Sequence, residues 1–252
     1  MSVLCIDFTE SNLTYTYPKS KHFFAPDKLS DYEQVLETSI EQIMEYDKDK
    51  QIPTFGFGSI VNHPNYFTKG NVSHRFPLSM DPNQLNFSSL EEIRKAYREN
   101  MKYLKFAGPT YMAFLMKWAI QECKNILSSE DNYKYMILFI LTDGQFCDDE
   151  EMRDLIVECS HLPISTVFIG IGDEDFALLE ELDDDDAKLV DRNGNPTMRD
   201  SVQFVPFEKY KNNLLAFKKE VLAEIPRQIE EYFILDKKSK SKSESKYDQS
   251  SL

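Results

Sequence analysis

The sequence predicts an α/β fold, a doubly wound, mostly parallel sheet flanked by helices. Three observations lead there. Short unbroken apolar runs, Val3 to Ile6, Tyr135 to Leu141 and Ile164 to Ile171, read as strands buried on both faces. Amphipathic helical patterns alternate with them, as the crossovers of a parallel sheet require. Polar groups follow the runs at Asp7, at Thr142-Asp143-Gly144 and at Gly172-Asp173. Open sheets of this kind bind ligands beyond the carboxyl ends of their strands.

Taken in order, the first strand ends at Asp7, and Asn12 to Lys28 is an irregular insertion with several aromatics. Ser30-Asp31-Tyr32-Glu33 forms a capping box, opening a helix whose apolar face is Tyr32, Leu36, Ile40 and Ile43. Pro53 to Gly58 reads as a second strand, its two glycines implying close backbone approach. Ile60 to Phe87 is loop-like, with an edge strand around Val72 to Leu78. A second box, Ser89-Leu90-Glu91-Glu92, starts a helix with Leu90, Ile93, Tyr97, Met101 and Leu104 on one face. Gly108-Pro109 breaks the chain, and Thr110 caps a long apolar helix to about Leu127. Asp148 caps a short helix to Cys159, and Asp173 to Leu182 forms another. After a last strand, Val202 to Val205, one amphipathic helix runs from Asn213 to Phe233 with a kink at Pro226.

The 252 residues suffice for one large domain or two small ones, and 41% apolar content predicts a packed globule. No apolar run approaches the roughly 18 residues of a membrane span. An acid at position 7 comes too early for a signal peptide, so the chain is read as non-secreted and cytoplasmic, at most peripheral to membranes. None of Cys5, Cys123, Cys147 and Cys159 falls in a C-x-x-C spacing, which argues against a zinc or redox motif. The expected domain is 1–235, followed by a disordered Lys- and Ser-rich tail over 236–252. The tail holds five Lys against three acids, so a net charge of −14 leaves −16 on the body. Such a body repels nucleic acid and anionic lipid and attracts cations.

Chemistry concentrates at the strand ends. Asp7, Thr9 and Ser11 place a carboxylate and two hydroxyls at alternate positions of a strand-end loop. Asp143 ends another strand, and Thr110 offers a hydroxyl at a helix start. These five side chains supply only oxygen, which suits a hard ion such as Mg²⁺, or Mn²⁺. Taken singly, Asp7 is as readily an N-cap and Thr110 a plain helix cap. The three pieces in order, two of them ending buried strands, favour a metal. The run Asp183-Asp184-Asp185-Asp186 lacks the alternation and terminal Glu of a calcium loop and reads as a solvated acidic loop. His22, His63, His74 and His161 are scattered, and His161 reads as structural. Tyr15, Tyr17, Phe23 and Phe24 fit a partner surface or packing over a sheet edge, and both readings stand.

These motifs resemble the von Willebrand factor A-like fold with its metal-ion-dependent adhesion site, and more closely the A domain of copines. The resemblance rests on Ile6 to Asn12, Phe55-Gly56-Phe57-Gly58, Val72 to Phe76, Gly108-Pro109-Thr110, Leu141 to Gly144, His161-Leu162-Pro163, Arg199 to Phe207 and Val221 to Pro226. It implies a six-stranded sheet, Asp7, Thr9, Ser11, Thr110 and Asp143 as the metal site, and recruitment of target proteins in a family of calcium-dependent phospholipid binding. Three departures stand out. No C2 domain precedes the first strand here, so membrane contact is expected only indirectly or through C2 domains absent from this chain. The cysteine spacing of a RING module is missing. Leu13 stands where copines often have glycine.

The expected function is therefore recruitment without catalysis, the ion accepting an acidic residue of a protein partner in signalling or membrane traffic. One alternative is a magnesium-dependent phosphatase of haloacid-dehalogenase type, which needs an Asp two residues after the nucleophile, where Thr9 stands. No phosphate-cradling glycine loop is present either. The other alternative is a structural domain with a vestigial metal site.

Overall fold

The computed structural model describes residues 1–252 except 48–49, 129–133, 184–187 and 250–252. The strands are β1 (Ser2–Asp7), β2 (Ile52–Phe57), β3 (Ser59–His63), β4 (Tyr66–Phe67), β5 (Phe76–Pro77), β6 (Asn86–Phe87), β7 (Leu104–Phe106), β8 (Met136–Thr142), β9 (Ile164–Gly170) and β10 (Val202–Pro206). The helices are α1 (Asp31–Tyr46), α2 (Leu90–Asn100), α3 (Ala113–Leu127), α4 (Asp149–Cys159), α5 (Ala177–Leu182), α6 (Leu214–Glu220) and α7 (Ile225–Gln249).

The main sheet runs in the order β10-β9-β8-β1-β2-β5, with the short β6 also pairing β2. β10, β9, β8, β1 and β2 are mutually parallel; β5 and β6 are antiparallel to β2. Both strands beside β1, β2 and β8, come later in the chain, one on each side, so the winding reverses there. The crevice of such a sheet lies at this reversal. The register sets Ile6 opposite both Gly56 and Leu141, which brings Asp7 level with the end of β8.

Alternation along β1 divides the core. Leu4 and Ile6 pack with Tyr32, Leu36, Ile40 and Ile43 of α1, Ile93 and Tyr97 of α2, and Phe217 of α6. Val3 and Cys5 pack on the other side with Leu115, Met116 and Ala119 of α3 and Met152, Leu155 and Ile156 of α4. Strands covered on both faces have no polar side to show, hence the unbroken apolar runs. The expected box at Ser30 closes in full: Glu33 N donates to Ser30 Oγ (3.2 Å) and Ser30 N to Glu33 Oε2 (3.0 Å). At Ser89, Glu92 N donates to the Ser89 hydroxyl, while the Glu92 carboxylate reaches back to Ser88 N (2.8 Å).

Several elements differ from expectation. Between β2 and α2 the chain forms not one edge strand but β3 to β6, and β3 joins β4 and β7 in a second, antiparallel sheet. Two-residue strands carry no periodicity to read. α5 begins only at Ala177, because Asp175 accepts from Ala177 N and turns the chain first. The single kinked helix over Asn213 to Phe233 is two, α6 and α7; Pro226 stands in the first turn of α7, where its missing N–H is harmless. α7 continues past Asp236 into the stretch for which composition predicts no fixed structure. Asp184, Asp185 and Asp186 lie outside the described residues; Asp183 follows α5. No helix among the described residues is long and apolar enough to cross a membrane. The four cysteines are free, and all but Cys147 are buried.

The most informative difference is at α3. Thr110 does not cap it: the helix begins at Ala113, and its first amides are taken by a distant carboxylate. Asp148 Oδ1 accepts from Met112 N (3.2 Å) and Oδ2 from Ala113 N (2.7 Å). Asp148 precedes α4 but makes no side-chain cap there. One acid thus joins the starts of two helices, and the Thr110 hydroxyl is left for other work. Replacing Asp148 with Ala is expected to lower the unfolding free energy by about 1–2 kcal/mol, and Thr110→Ala by roughly 0.5 kcal/mol or less. Urea denaturation measures both, and equal losses would restore Thr110 as the cap.

Candidate metal centre

The loop after β1 is built by its own side chains. Asp7 is fully buried, and its Oδ1 accepts from Thr9 N (2.8 Å) and Thr9 Oγ1 (2.6 Å), a turn that Asp forms readily. Asp7 Oδ2 accepts from Thr142 Oγ1 (2.7 Å) at the end of β8. Thr9 Oγ1 lies 3.0 Å from Ser11 Oγ, and Ser11 Oγ donates to Asp143 Oδ1 (2.9 Å). Four of the five expected side chains, Asp7, Thr9, Ser11 and Asp143, therefore form one continuous chain of oxygen contacts. Thr142, which the sequence reading used only as a strand end, joins it.

Thr110 is placed differently. Thr9 bridges Ala107, with Glu10 N donating to Ala107 O (3.2 Å), and Thr110 O accepts from Cys147 N (2.9 Å). The Ala107–Thr110 segment thus spans from the Thr9 loop to the Asp143 loop. The Thr110 hydroxyl joins none of the hydrogen bonds of the other four, and the residue is 9% exposed.

Gly58 makes the close packing possible. At φ +77° it occupies the left-handed region, and a Cβ there would stand 2.1 Å from Thr9 Cγ2. The glycine-punctuated β2 motif is thus a packing requirement of the candidate site.

Electrostatics at the cluster are unbalanced. Burial raises Asp7 above the ordinary carboxylate range, against the hydrogen bonds from Thr9 and Thr142. Burial raises Asp143 further, with the Asp7 charge adding to it and Glu174 contributing. Among the described residues, no Lys, Arg or His side chain forms an ion pair with either acid. The hydroxyls cannot resolve this. Thr9 and Ser11 have one proton each, and if each proton goes to its carboxylate, their own 3.0 Å contact sets lone pair against lone pair. A cation or an added proton relieves both problems.

Behind the cluster lies a support that the sequence reading did not find. His22, fully buried, uses Nε2 toward the Asp7 carbonyl (2.8 Å) and Nδ1 toward Tyr97 Oη (2.6 Å). A carbonyl only accepts, so Nε2 carries the proton and Nδ1 accepts from the tyrosine. The ring stacks on Tyr32 at 3.8 Å and on Phe8 at 5.2 Å. Burial pushes its pKa down to about 3, so it stays neutral. Asn12, 1% exposed, sits beside the Tyr32 hydroxyl. Among the described residues, the Asn12 amide and the Tyr32 hydroxyl have no hydrogen-bond partner beyond each other. Position alone singles out His22 within an irregular insertion, so periodicity could not have found it; Asn12 directly follows the first motif.

The aromatic insertion itself divides: Tyr15 and Phe24 pack inward against each other and Tyr97, and Tyr17 is exposed. His161 is exposed, and its backbone N–H donates to the Glu158 carbonyl.

The donor set suits a hard divalent ion. Asp7, Thr9, Ser11 and Asp143 offer only oxygen, and the two neutral hydroxyls leave the ion most of its charge. Magnesium keeps several waters, and the buried Asn12 amide and Tyr32 hydroxyl nearby offer polar groups to a hydrated ion.

A family model described as Copine matches residues 20–241. Thr110 and Asp143 fall inside the matched stretch; Asp7, Thr9 and Ser11 precede it. Among solved structures, the chain is similar to proximal thread matrix protein 1 from the mussel byssus, with 15% identity over 87% of this chain and 47% of that one, at a TM-score of 0.47. The chain thus spans about half the length of the mussel protein. Another structure of that protein has a zinc-occupied MIDAS motif, at 15% identity over 87% of this chain and 47% of that one, TM-score 0.48. The manganese-loaded Plasmodium vivax TRAP protein is similar at 12% identity over 85% of this chain and 70% of that one, TM-score 0.48.

A carboxyl raised in the folded chain still binds its proton at a pH where the unfolded chain, at about 4, has released it. The pair should therefore cost stability as pH climbs from about 4 through the raised values, and a bound cation should restore it. Added Mg²⁺ is expected to raise the melting midpoint more at about pH 8 than at about pH 5. Asp143→Asn is expected to abolish that shift while leaving the metal-free protein at least as stable at about pH 8. Thermal melts with and without EDTA measure both.

Proposed function

The chain belongs to the copine family, and on that premise we propose that it is a divalent-metal-dependent protein-binding domain whose ion accepts an acidic side chain of a partner. Asp7, Thr9, Ser11, Thr110 and Asp143 hold Mg²⁺ or Mn²⁺ in this reading, Thr110 turning its free hydroxyl to the ion. The observation that carries it is the pair of buried carboxylates, Asp7 and Asp143, to neither of which, among the described residues, a cationic side chain is paired. Uncompensated charge in a protein interior is costly, and retaining two such groups side by side points to a charge that arrives from outside.

The same donors explain why the last ligand comes from a partner. Neutral hydroxyls bind an ion weakly, so an exchangeable position filled by a full carboxylate adds most of the missing affinity. The rim selects among partners. Glu10 and Glu174 are exposed beside the cluster and repel a bare acid. Leu13, two residues past Ser11, is 41% exposed, and Phe114, four past Thr110, is 50% exposed. A fitting partner carries its acid within an apolar segment flanked by bases. The proposed setting is cytoplasmic recruitment in signalling or membrane traffic, with membrane contact indirect.

Catalysis is not assigned. A haloacid-dehalogenase reading needs an acid where Thr9 stands, and Thr9 donates to Asp7 rather than offering a second carboxylate.

Protein partners captured by the full chain are expected to dissociate in EDTA, rebind with Mg²⁺ or Mn²⁺, and be missing from captures on Asp143→Asn. Substituting the partner's acid should have the same effect. Capture undiminished by EDTA overturns the reading. Calorimetry showing no Mg²⁺ or Mn²⁺ binding to the chain alone, together with metal-independent capture, makes the site vestigial.

A further inference from the structure

The rim around the metal centre is charged unevenly, and the order of the sheet shows how. β8 and β9 lie on one side of β1, β2 and β5 on the other. On the β9 side three exposed acids follow the strand, Asp173, Glu174 and Asp175, and Lys21 pairs with the first of them (3.3 Å). On the β5 side Arg75 stands exposed, immediately before the strand. The register fixes its level. Asp7 lies beside Phe57, and Phe76 lies opposite Gly56 on an antiparallel strand, so the preceding Arg75 comes level with Phe57. Two strand spacings, about 10 Å, therefore separate the backbone of Arg75 from that of Asp7.

Rings, not acids, hold Arg75 in place. Its guanidinium carbon lies over Phe55 at 5.2 Å from the ring centre and over Trp118 at 5.6 Å. Contacts of this kind occupy the face of a guanidinium and leave its N–H edge for a bidentate acceptor. Among the described residues, the Arg75 side chain forms no ion pair and no hydrogen bond. Of the acids toward this face, Asp148 is taken by the amides of Met112 and Ala113, and Glu151 by Lys117 (2.6 Å). An aromatic bridge links Arg75 to the metal centre. The ring of His74, next to Arg75, lies 4.9 Å from that of Tyr111, next to Thr110. His74 also stacks at 5.2 Å on Phe114, which is 50% exposed. On its other side, Ser73 O accepts from Gly58 N (2.9 Å), and Gly58 packs on Thr9.

Resting on the metal-dependent reading above, we propose that Arg75 is a second anchor for the partner's segment. It takes a further carboxylate, two or three residues along the partner from the acid on the ion, and the residues between lie on the aromatic bridge. An extended chain advances about 3.3 Å per residue, so two or three residues cover roughly 7–10 Å. That matches the separation of Arg75 from Asp7. The bases of the partner then belong to its opposite flank, toward Glu174. A segment with bases at one end and an acid at the other meets a rim of the reverse pattern, so a given partner docks one way round.

The test uses random peptides displayed on phage, selected on the Mg²⁺-loaded full chain and eluted with EDTA. Eluted sequences are expected to carry two acids two or three residues apart. One such peptide, synthesised, is then titrated calorimetrically at fixed ionic strength. Arg75→Gln should weaken its binding about three- to tenfold, and Arg75→Lys by less, since it keeps the charge without the fork. Changing the peptide's acids to amides one at a time should abolish binding for the acid on the ion and cost the other the same three- to tenfold factor. Arg75→Gln combined with the second amide should lose no more than either change alone. Losses that simply multiply overturn the proposal, because Arg75 and the second acid then act apart. Eluted peptides with a single acid overturn it too, and leave the metal-dependent reading standing. If EDTA elutes no peptide, that reading falls and the second anchor falls with it.

Discussion

Two like charges held in one dry place are the constraint on which the candidate centre depends. Parallel pairing on both sides of β1 sets Asp7 beside the end of β8, and the chain continues directly into Asp143. The backbone leaves little choice: once Ile6 lies against Leu141, the acids after them are neighbours. Among the described residues no basic side chain pairs with them, and the loops supply neutral donors instead. Thr9, Ser11 and Thr142 do this, each hydroxyl tied to an acid and none neutralising it. The donor chemistry, the raised affinity of the acids for protons and the tight glycine at position 58 all follow from that geometry.

Much of this was legible in the sequence, for physical reasons that can be named. Strands buried on both faces must be apolar throughout, so β1, β8 and β9 announced themselves, and strand-end acids stood out against that background. The boxes at Ser30 and Ser89 were legible because capping is local, reaching only three residues along the chain. What stayed hidden was non-local. That Asp148 serves α3 depends on how two helices meet, which no spacing in sequence encodes. The second sheet is built from strands as short as two residues, too brief for any pattern. Of the five proposed ligands, four are found linked by hydrogen bonds; Thr110 shares the neighbourhood through its backbone alone.

The two ends of the sheet show a common principle with opposite signs. Among the described residues, the acids at one end pair with no cation, and at the other the buried Arg199 guanidinium, which donates to the carbonyls of Leu162, Ile164 and Asp200, pairs with no carboxylate. Each is held by groups that orient it without cancelling its charge, hydroxyls in one case and carbonyls in the other. Such arrangements cost stability that an internal ion pair would not.

The segment between Asn12 and Lys28 has the look of a surface excursion, with irregular turns and an exposed tyrosine at its apex. Yet His22, carried in its middle, fills the gap between Tyr32 and Phe8 and ties down the last carbonyl of β1. The excursion is thus internal scaffolding reached by an external route. Trimming it as ornament would unseat a ring from between two others and loosen the strand end, although none of Asp7, Thr9, Ser11, Thr110 and Asp143 lies within it.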